Sequence, residues 1–164
     1  MPRYINKQQH KASCAPVAIL NAIKFKGNKI SYRKSLKTFS RLGYGSSGTS
    51  ISATRDMLVH FEVEHKRFEH TPPSESMRRI EEILNRKNGV LLSFRFYYKN
   101  KNKEDHGHMV FIDYHTKHYL RVYNMWKVNG TAIVSKKRFL RYFRISHKRS
   151  EYNPEYPRIF EIPK

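Results

Sequence analysis

Residues 14–25, CAPVAILNAIKF, form a long apolar stretch near the start of the chain and decide its architecture. Ser13 is a favourable N-cap for a helix that begins here, and Pro16 falls in the first turn, where a missing N–H costs nothing. Gly27 and Asn28 end the helix. Apolar side chains run nearly all round it, and a helix of that kind has to be enclosed. We therefore predict a central, buried helix over these residues.

Outward from this helix, the pattern of apolar residues changes from helical spacing to alternation. Helical spacing predicts helices over 31–42, over roughly 50–60, and from Ser74 to Gly89. The second half is typical of β-structure. Helices followed by antiparallel strands predict an α+β fold, with N-terminal helices packed on a C-terminal antiparallel sheet. We expect one domain over residues 1–164, with a basic C-terminal extension at about 135–164. The strand candidates are 62–69, 90–98, 108–114, 118–124 and 128–134, with a short helix at 135–142.

The chain is strongly basic, with 33 Lys and Arg against 13 Asp and Glu and a formal net charge of +20. No acidic residue precedes Asp56, and residues 135–149, SKKRFLRYFRISHKR, also lack one. Such a surface attracts nucleic acid, acidic proteins or other anionic partners at low salt. A solvated, solubilising surface explains the same composition, so the charge leaves these alternatives open.

Several classes of protein are excluded by composition. The only cysteine, Cys14, allows neither an internal disulfide nor a cysteine-rich zinc site. The four histidines of residues 106–118 lack the spacing and the carboxylates of a metal site, so we expect no metal and no other cofactor. No run of about 18 apolar residues predicts a membrane span, and residues 1–11 lack the apolar core of a secretory signal. We expect a cytoplasmic protein, acting in a host cell if a phage or mobile element encodes it.

Cys14 is a candidate nucleophile because of its position at the predicted start of the buried helix. Unsatisfied backbone N–H groups at a helix N-terminus stabilise a thiolate and lower the pKa of the thiol. A free cysteine is also commonly a small buried apolar residue. The candidate partners described next favour the role of Cys14 as a nucleophile over its role as a buried apolar residue.

His108 and Asn124 are the candidates for the base and for the group that orients it. They are 16 residues apart on two consecutive strand candidates. If the hairpin turns symmetrically about Thr116, they face one another directly, and the Asn124 carboxamide accepts a hydrogen bond from the imidazole. A register slip of one residue would separate them. His106, two residues away on the same side of the strand, is the rival base.

Gln8 is the candidate donor for an oxyanion hole, together with the backbone N–H of Cys14. It lies six residues before Cys14, and a side-chain amide at that position stabilises the charge that develops on a carbonyl oxygen. Gln9 is adjacent, but the spacing favours Gln8.

These residues carry a resemblance to a known family. Residues 8–16, QQHKASCAP, followed by an Ala-rich helix, resemble the nucleophile region of the bacteriocin-processing double-glycine peptidases, papain-like enzymes that trim leader peptides. Residues 107–112, GHMVFI, look like the histidine strand of that family, and the interval to Asn124 matches the interval to its acidic third member. The resemblance, which covers about residues 4–126, implies a papain-like fold.

The resemblance also implies the roles of four residues: Cys14 as nucleophile, His108 as general base, Asn124 as the orienting residue and Gln8 as oxyanion donor. Ala15 stands where the family usually has Gly, and Asn124-Met125 stands where it has Asp-Pro. The resemblance therefore extends to the fold and the acyl chemistry rather than to the substrate.

Three functions follow as hypotheses. The first is a cysteine peptidase or related amide hydrolase that acts on a protein or peptide substrate through a Cys-His-Asn triad. The second is a deamidase or transglutaminase that uses the same acyl-enzyme. The third is a basic protein, without catalysis, that binds nucleic acid or an acidic partner. The oligomeric state is not readable from the sequence.

Overall fold

The computed structural model describes residues 4–5, 14–44, 49–68, 72–97, 105–125, 132–148 and 157–164. Five helices and six strands are formed by these residues, in the order helices first and mostly strands afterwards. Their bounds, in chain order, are α1 (Cys14–Phe25), α2 (Tyr32–Arg41), α3 (Ile51–His60), β1 (Lys66–Phe68), α4 (Pro73–Asn85), β2 (Gly89–Tyr97), β3 (Asp105–His115), β4 (Tyr119–Tyr123), β5 (Ala132–Ser135), α5 (Lys136–Lys148) and β6 (Arg158–Ile162).

The strands form one sheet in the order β1-β6-β2-β3-β4-β5, and every neighbouring pair is antiparallel. The predicted α+β fold is therefore confirmed. The expected C-terminal extension contains α5 and also β6, which the sequence did not indicate. All five residues of β6 are buried, and the strand lies between β1 and β2 in the interior of the sheet.

Two apolar clusters cover the two faces of this sheet. On one face, α1, α2 and α3 pack against alternate strand residues such as Leu91 and Phe111. On the other face, α4 and α5 pack against the intervening residues, such as Leu92 and Val110. Because successive side chains of a strand point to opposite faces, each central strand serves both clusters. The predicted central position of α1 is confirmed, since every residue from Ala15 to Ile23 is buried.

Tyr4 and Ile5, the described residues nearest the N-terminus, contact α1 and the sheet. Asn21, which is 0% exposed, accepts from the Ile5 N–H at 2.7 Å and donates to the Ile5 carbonyl at 2.8 Å. The ring of Tyr4 packs on Tyr123 and Phe111, with centroids 4.4 and 5.6 Å away. Asn21 thus satisfies both backbone groups of Ile5, and it holds this residue against α1.

The β3–β4 hairpin differs from the predicted register. The turn lies at Lys117-His118, where the Thr116 N–H donates to the Tyr119 carbonyl at 2.9 Å, rather than being centred on Thr116. The strands pair Phe111 with Tyr123, and a bulge follows Ile112. Continued by one step, this register would place position 124 opposite 110, so the prediction that Asn124 faces His108 directly across the hairpin is wrong.

An ion pair within the hairpin accompanies the bulge. Its extra residue is Asp113, which receives two hydrogen bonds from the Arg121 guanidinium at 2.7 and 2.9 Å. This bidentate ion pair holds the displaced carboxylate against β4. Sequence periodicity alone does not reveal such an insertion.

Among the described residues, no helix is both long enough and apolar enough to cross a membrane.

Candidate active site

Cys14 is the first residue of α1 and lies half-buried at the edge of the apolar cluster between α1 and the sheet. Burial raises the pKa of the thiol, although hydrogen bonds from the backbone of Met109, Ala15 and Cys14 itself lower it. The predicted effect of the helix terminus is therefore present, but desolvation outweighs it. Near neutral pH Cys14 is therefore a thiol, whereas the sequence indicated a thiolate.

The backbone of Met109 on β3 contacts the sulfur, and Met109 belongs to the same apolar cluster as Cys14. His108, the residue before it, points to the other face of the strand, where Phe94 belongs to the opposite cluster. His108 is buried on β3, and its ring lies edge-on to Phe94 of β2, with centroids 6.0 Å apart. Its Nε2 is 2.6 Å from the backbone carbonyl oxygen of Asn124. A carbonyl oxygen only accepts, so we assign the proton to Nε2, which leaves Nδ1 as the basic nitrogen of the neutral ring.

The electrostatics of His108 favour this neutral ring. Burial lowers the pKa of His108 to about 4, and the hydrogen bond to Asn124 opposes that shift. Near neutral pH the imidazole is therefore uncharged.

Asn124 connects the other two residues. Its Nδ2 donates to the Cys14 carbonyl at 3.1 Å and to the Met109 carbonyl at 3.3 Å, while its own carbonyl meets the His108 ring. Its φ of 73° lies in the left-handed region, which Asn tolerates better than most residues, and this turn directly follows β4. The sequence assigned the orienting contact to the carboxamide; in the structure the backbone carbonyl makes it, and the carboxamide fixes Cys14 and β3.

The other residues predicted for the site lie wholly or partly outside the described residues. Gln8 and Gln9 lie outside the described residues, so the assignment of Gln8 to the oxyanion remains a prediction. His106, the rival base, belongs to β3 and pairs with Phe96 of β2, but its side chain is outside the described part of the chain. Among the side chains that are described, no group of three His, Cys, Asp or Glu is arranged to hold a metal ion.

Two tyrosines near Cys14 were missed by the sequence reasoning. Tyr44 packs on the same apolar cluster as Cys14, and its hydroxyl lies near the Tyr32 side chain. Burial, Tyr32 and the nearby Cys14 thiol together raise the pKa of Tyr44. Helical spacing identified Tyr32 only as a packing residue, and no local signal linked Tyr44 to the nucleophile.

The backbone before Tyr44 explains its position. Gly43 has a φ of 110°, and a Cβ built on it would lie 2.8 Å from the Cβ of Ala53 on α3. Only glycine permits this close approach without displacement. The Tyr44 N–H then donates to the Phe39 carbonyl at 2.9 Å, which ties the end of α2 beside the nucleophile.

Comparison with known proteins identifies the fold. No protein-family model and no curated protein matches the sequence. Among solved structures, a protein described as a C39-like peptidase from Bacillus anthracis is similar, with a TM-score of 0.65 and 8% identity over 99% of this chain and 95% of that one. The peptidase domain of Streptococcus ComA, a bi-functional ABC transporter of a quorum-sensing pathway, matches with a TM-score of 0.64 and 13% identity over 98% of both chains. The resemblance found in the sequence motifs is thus confirmed for the fold, and this chain has the papain-like α+β fold of the C39-like peptidases.

Proposed function

We propose that this protein is a cysteine peptidase or related amide hydrolase that acts on a protein or peptide through Cys14, His108 and Asn124. The observation that carries the proposal is the double contact of Asn124, which bonds to the backbone of the helix-terminal cysteine and to the ring of the histidine. These residues are remote in the chain, and the fold that holds them is similar to that of two peptidases. The single cysteine suits a reducing compartment, so the proposal includes a cytoplasmic location.

In the proposed mechanism the reaction starts from a neutral thiol and a neutral imidazole, as the directions of the two pKa shifts indicate. Nδ1 of His108 takes the proton of the Cys14 thiol as the sulfur attacks the amide carbonyl. The imidazolium that forms keeps its Nε2–H on the Asn124 carbonyl, which stabilises the positive charge. The Cys14 N–H and, in this proposal, Gln8 donate to the developing oxyanion.

The second half of the reaction uses the same groups. His108 protonates the leaving amine as the carbon–nitrogen bond breaks, and a thioester remains on Cys14. Water then attacks the thioester, with His108 taking one of its protons, and the carboxylic acid and the free thiol are released. A protein glutamine is also an amide, so deamidation follows from the same steps, and a lysine amine in place of water gives a cross-link.

Mass spectrometry separates these outcomes. The purified protein, and its Cys14→Ala variant as control, are incubated with a cell extract and with synthetic peptides, and the masses of intact products are measured. We expect new peptide termini that depend on Cys14. The small mass gain of a glutamine converted to glutamate, or a cross-link, would assign the alternative acyl transfer instead. Products that form equally with both proteins would contradict the hydrolase.

A protein without catalysis that binds nucleic acid or an acidic partner is the second candidate, and the net charge of +20 supports it. It predicts binding that weakens steeply with salt and survives the loss of Cys14. The two functions are compatible, since a basic surface also recruits an acidic substrate.

A further inference from the structure

The exposed face of α2 is the feature that the proposed reaction does not use. Four of the five exposed residues of this helix are cations, and the fifth is Ser40. The opposite side of the helix is held in the core by Phe39, which is 0% exposed, and by Ser35, whose hydroxyl donates to the Ser31 carbonyl at 2.9 Å. The helix therefore presents one fixed basic surface, which we call the α2 face: Arg33, Lys34, Lys37 and Arg41.

Within the described part of the chain, no ion pair involves a cation of the α2 face. No acidic residue occurs in the chain before Asp56. The ion pairs formed within the described residues involve other cations: Arg78, Arg86, Arg121 and Lys136. Among exposed positions, a group of like charges costs repulsion and is relieved by an anionic partner.

The α2 face lies on a helix that packs in the same apolar cluster as the candidate nucleophile. Arg33, Lys37 and Arg41 follow one another at intervals of four residues, so they form a row of about 12 Å along one side of the helix. Beyond Arg41 the chain passes through Gly43 to Tyr44, which packs on the same cluster as Cys14. Tyr32, at the start of α2, also lies near Tyr44, so a ligand bound along the row is held close to the candidate active site.

We propose that the α2 face binds an acidic segment of the protein substrate and guides the adjoining peptide to Cys14, an inference that rests on the proposed hydrolase. The spacing fits an extended peptide, because alternate side chains of a strand are about 6.6 Å apart and cations four residues apart on a helix are about 6 Å apart. A nucleic acid strand fits less well, since single-stranded binding uses exposed aromatic rings for stacking. The two aromatic residues of α2, Tyr32 and Phe39, both pack into the cluster.

The chain offers a matched control on the other face of the sheet. All exposed residues of α5 up to position 144 are also cations, and its aromatic residues pack into the opposite cluster. Neutralising the exposed cations of α5 removes four positive charges, the same number as neutralising the α2 face. The α5 cations, however, lie on a surface that is not connected to Cys14 through Tyr44. The control residues are Lys137, Arg138, Arg141 and Arg144.

The test measures binding separately from turnover. Both sets are changed to Gln in the Cys14→Ser background, and folding is checked by circular dichroism and thermal unfolding. Fluorescence anisotropy then follows three labelled probes of equal length: a peptide of alternating Glu and Ser, its Gln–Ser counterpart, and an oligothymidylate. The single variant Arg41→Gln repeats the test if the fourfold α2 variant does not fold.

We expect the Glu–Ser peptide to bind, with an affinity about tenfold weaker after the α2 change and less than about threefold weaker after the α5 change. The Gln–Ser peptide should not bind. If both sets of substitutions weaken binding of the Glu–Ser peptide equally, the proposal is overturned in favour of a general effect of net charge. If the Glu–Ser peptide does not bind at all, the proposal is also overturned. Tighter, α2-dependent binding of oligothymidylate would overturn it in favour of a nucleic acid site. Because Cys14 is absent throughout, failure of docking is distinguishable from failure of the hydrolase, which is judged by Cys14-dependent cleavage.

Discussion

The Cys14→Ala variant is expected to lose peptide hydrolysis, with kcat/KM at least about a thousandfold below that of the wild-type protein. The acyl-enzyme needs a nucleophilic atom at the start of α1, and no other cysteine exists in the chain to replace it. The loss should fall mainly on kcat, because the sulfur acts in the bond-forming step. Steady-state kinetics on a peptide identified by mass spectrometry measure the effect.

Cys14→Ser is the control for this prediction, because it keeps the size of the side chain and replaces the thiol by a weaker nucleophile. Both variants should fold as the wild-type protein does, since Cys14 lies at the edge of its cluster and its removal leaves little empty space. Retention of wild-type turnover in either folded variant would refute the role of Cys14.

The free energy of unfolding is expected to fall by about 3 kcal/mol between pH 6.5 and pH 4 through His108 alone. Burial lowers the pKa of this imidazole in the folded protein to about 4, from 6.5 in the unfolded chain. Between these two pKa values the unfolded chain binds the proton more strongly than the folded protein does. The contribution of neutral His108 to stability is therefore complete above pH 6.5 and decreases as the pH falls. Urea unfolding across this range measures the change.

The variant His108→Gln isolates that contribution from the carboxyl groups that titrate nearby. Glutamine keeps a donor for the Asn124 carbonyl but does not titrate, so the difference in stability between the two proteins should vary with pH over this window. A pH dependence identical in the two proteins would mean that His108 is accessible to protons in the folded state, contrary to its buried position.

The helices could be predicted because their signals are local. The helix over 14–25 has the predicted bounds, since apolar content and glycine at its end act within a few residues. The bounds of α2 and α3 follow from helical spacing in the same way, whereas α4 begins at Pro73 rather than after Ser74 and ends at Asn85, four residues before Gly89. The general arrangement of helices on an antiparallel sheet could also be read, because the order of elements along the chain restricts the fold.

What could not be predicted depends on contacts between distant residues. The strand β6 contains Arg158 and Glu161, which are buried charged residues in a central strand and depart from the usual pattern. Burial alone would raise the pKa of Glu161, but hydrogen bonds from Arg86 and Asn88 lower it, and these partners lie more than 70 residues earlier. Their presence makes burial of the carboxylate tolerable.

At the candidate site, too, local features could be predicted from the sequence and contacts between distant residues could not. The candidate residues could be found from residue type and spacing, and the structure links three of them through Asn124. The hairpin has a different register from the predicted one, and the backbone carbonyl of Asn124 meets the imidazole; only the folded chain reveals this. Likewise, the raised pKa of the Cys14 thiol depends on burial by several elements, which the helix terminus alone does not indicate.

The convergence of Cys14 and His108 on one reacting centre is tested most directly by a crystal structure of the protein after reaction with a peptide aldehyde. We predict a thiohemiacetal on the sulfur of Cys14, with the imidazole of His108 within hydrogen-bonding reach of the adduct and its Nε2 still on the Asn124 carbonyl. An unmodified cysteine, or an imidazole that remains beyond reach of the adduct, would contradict the hydrolase.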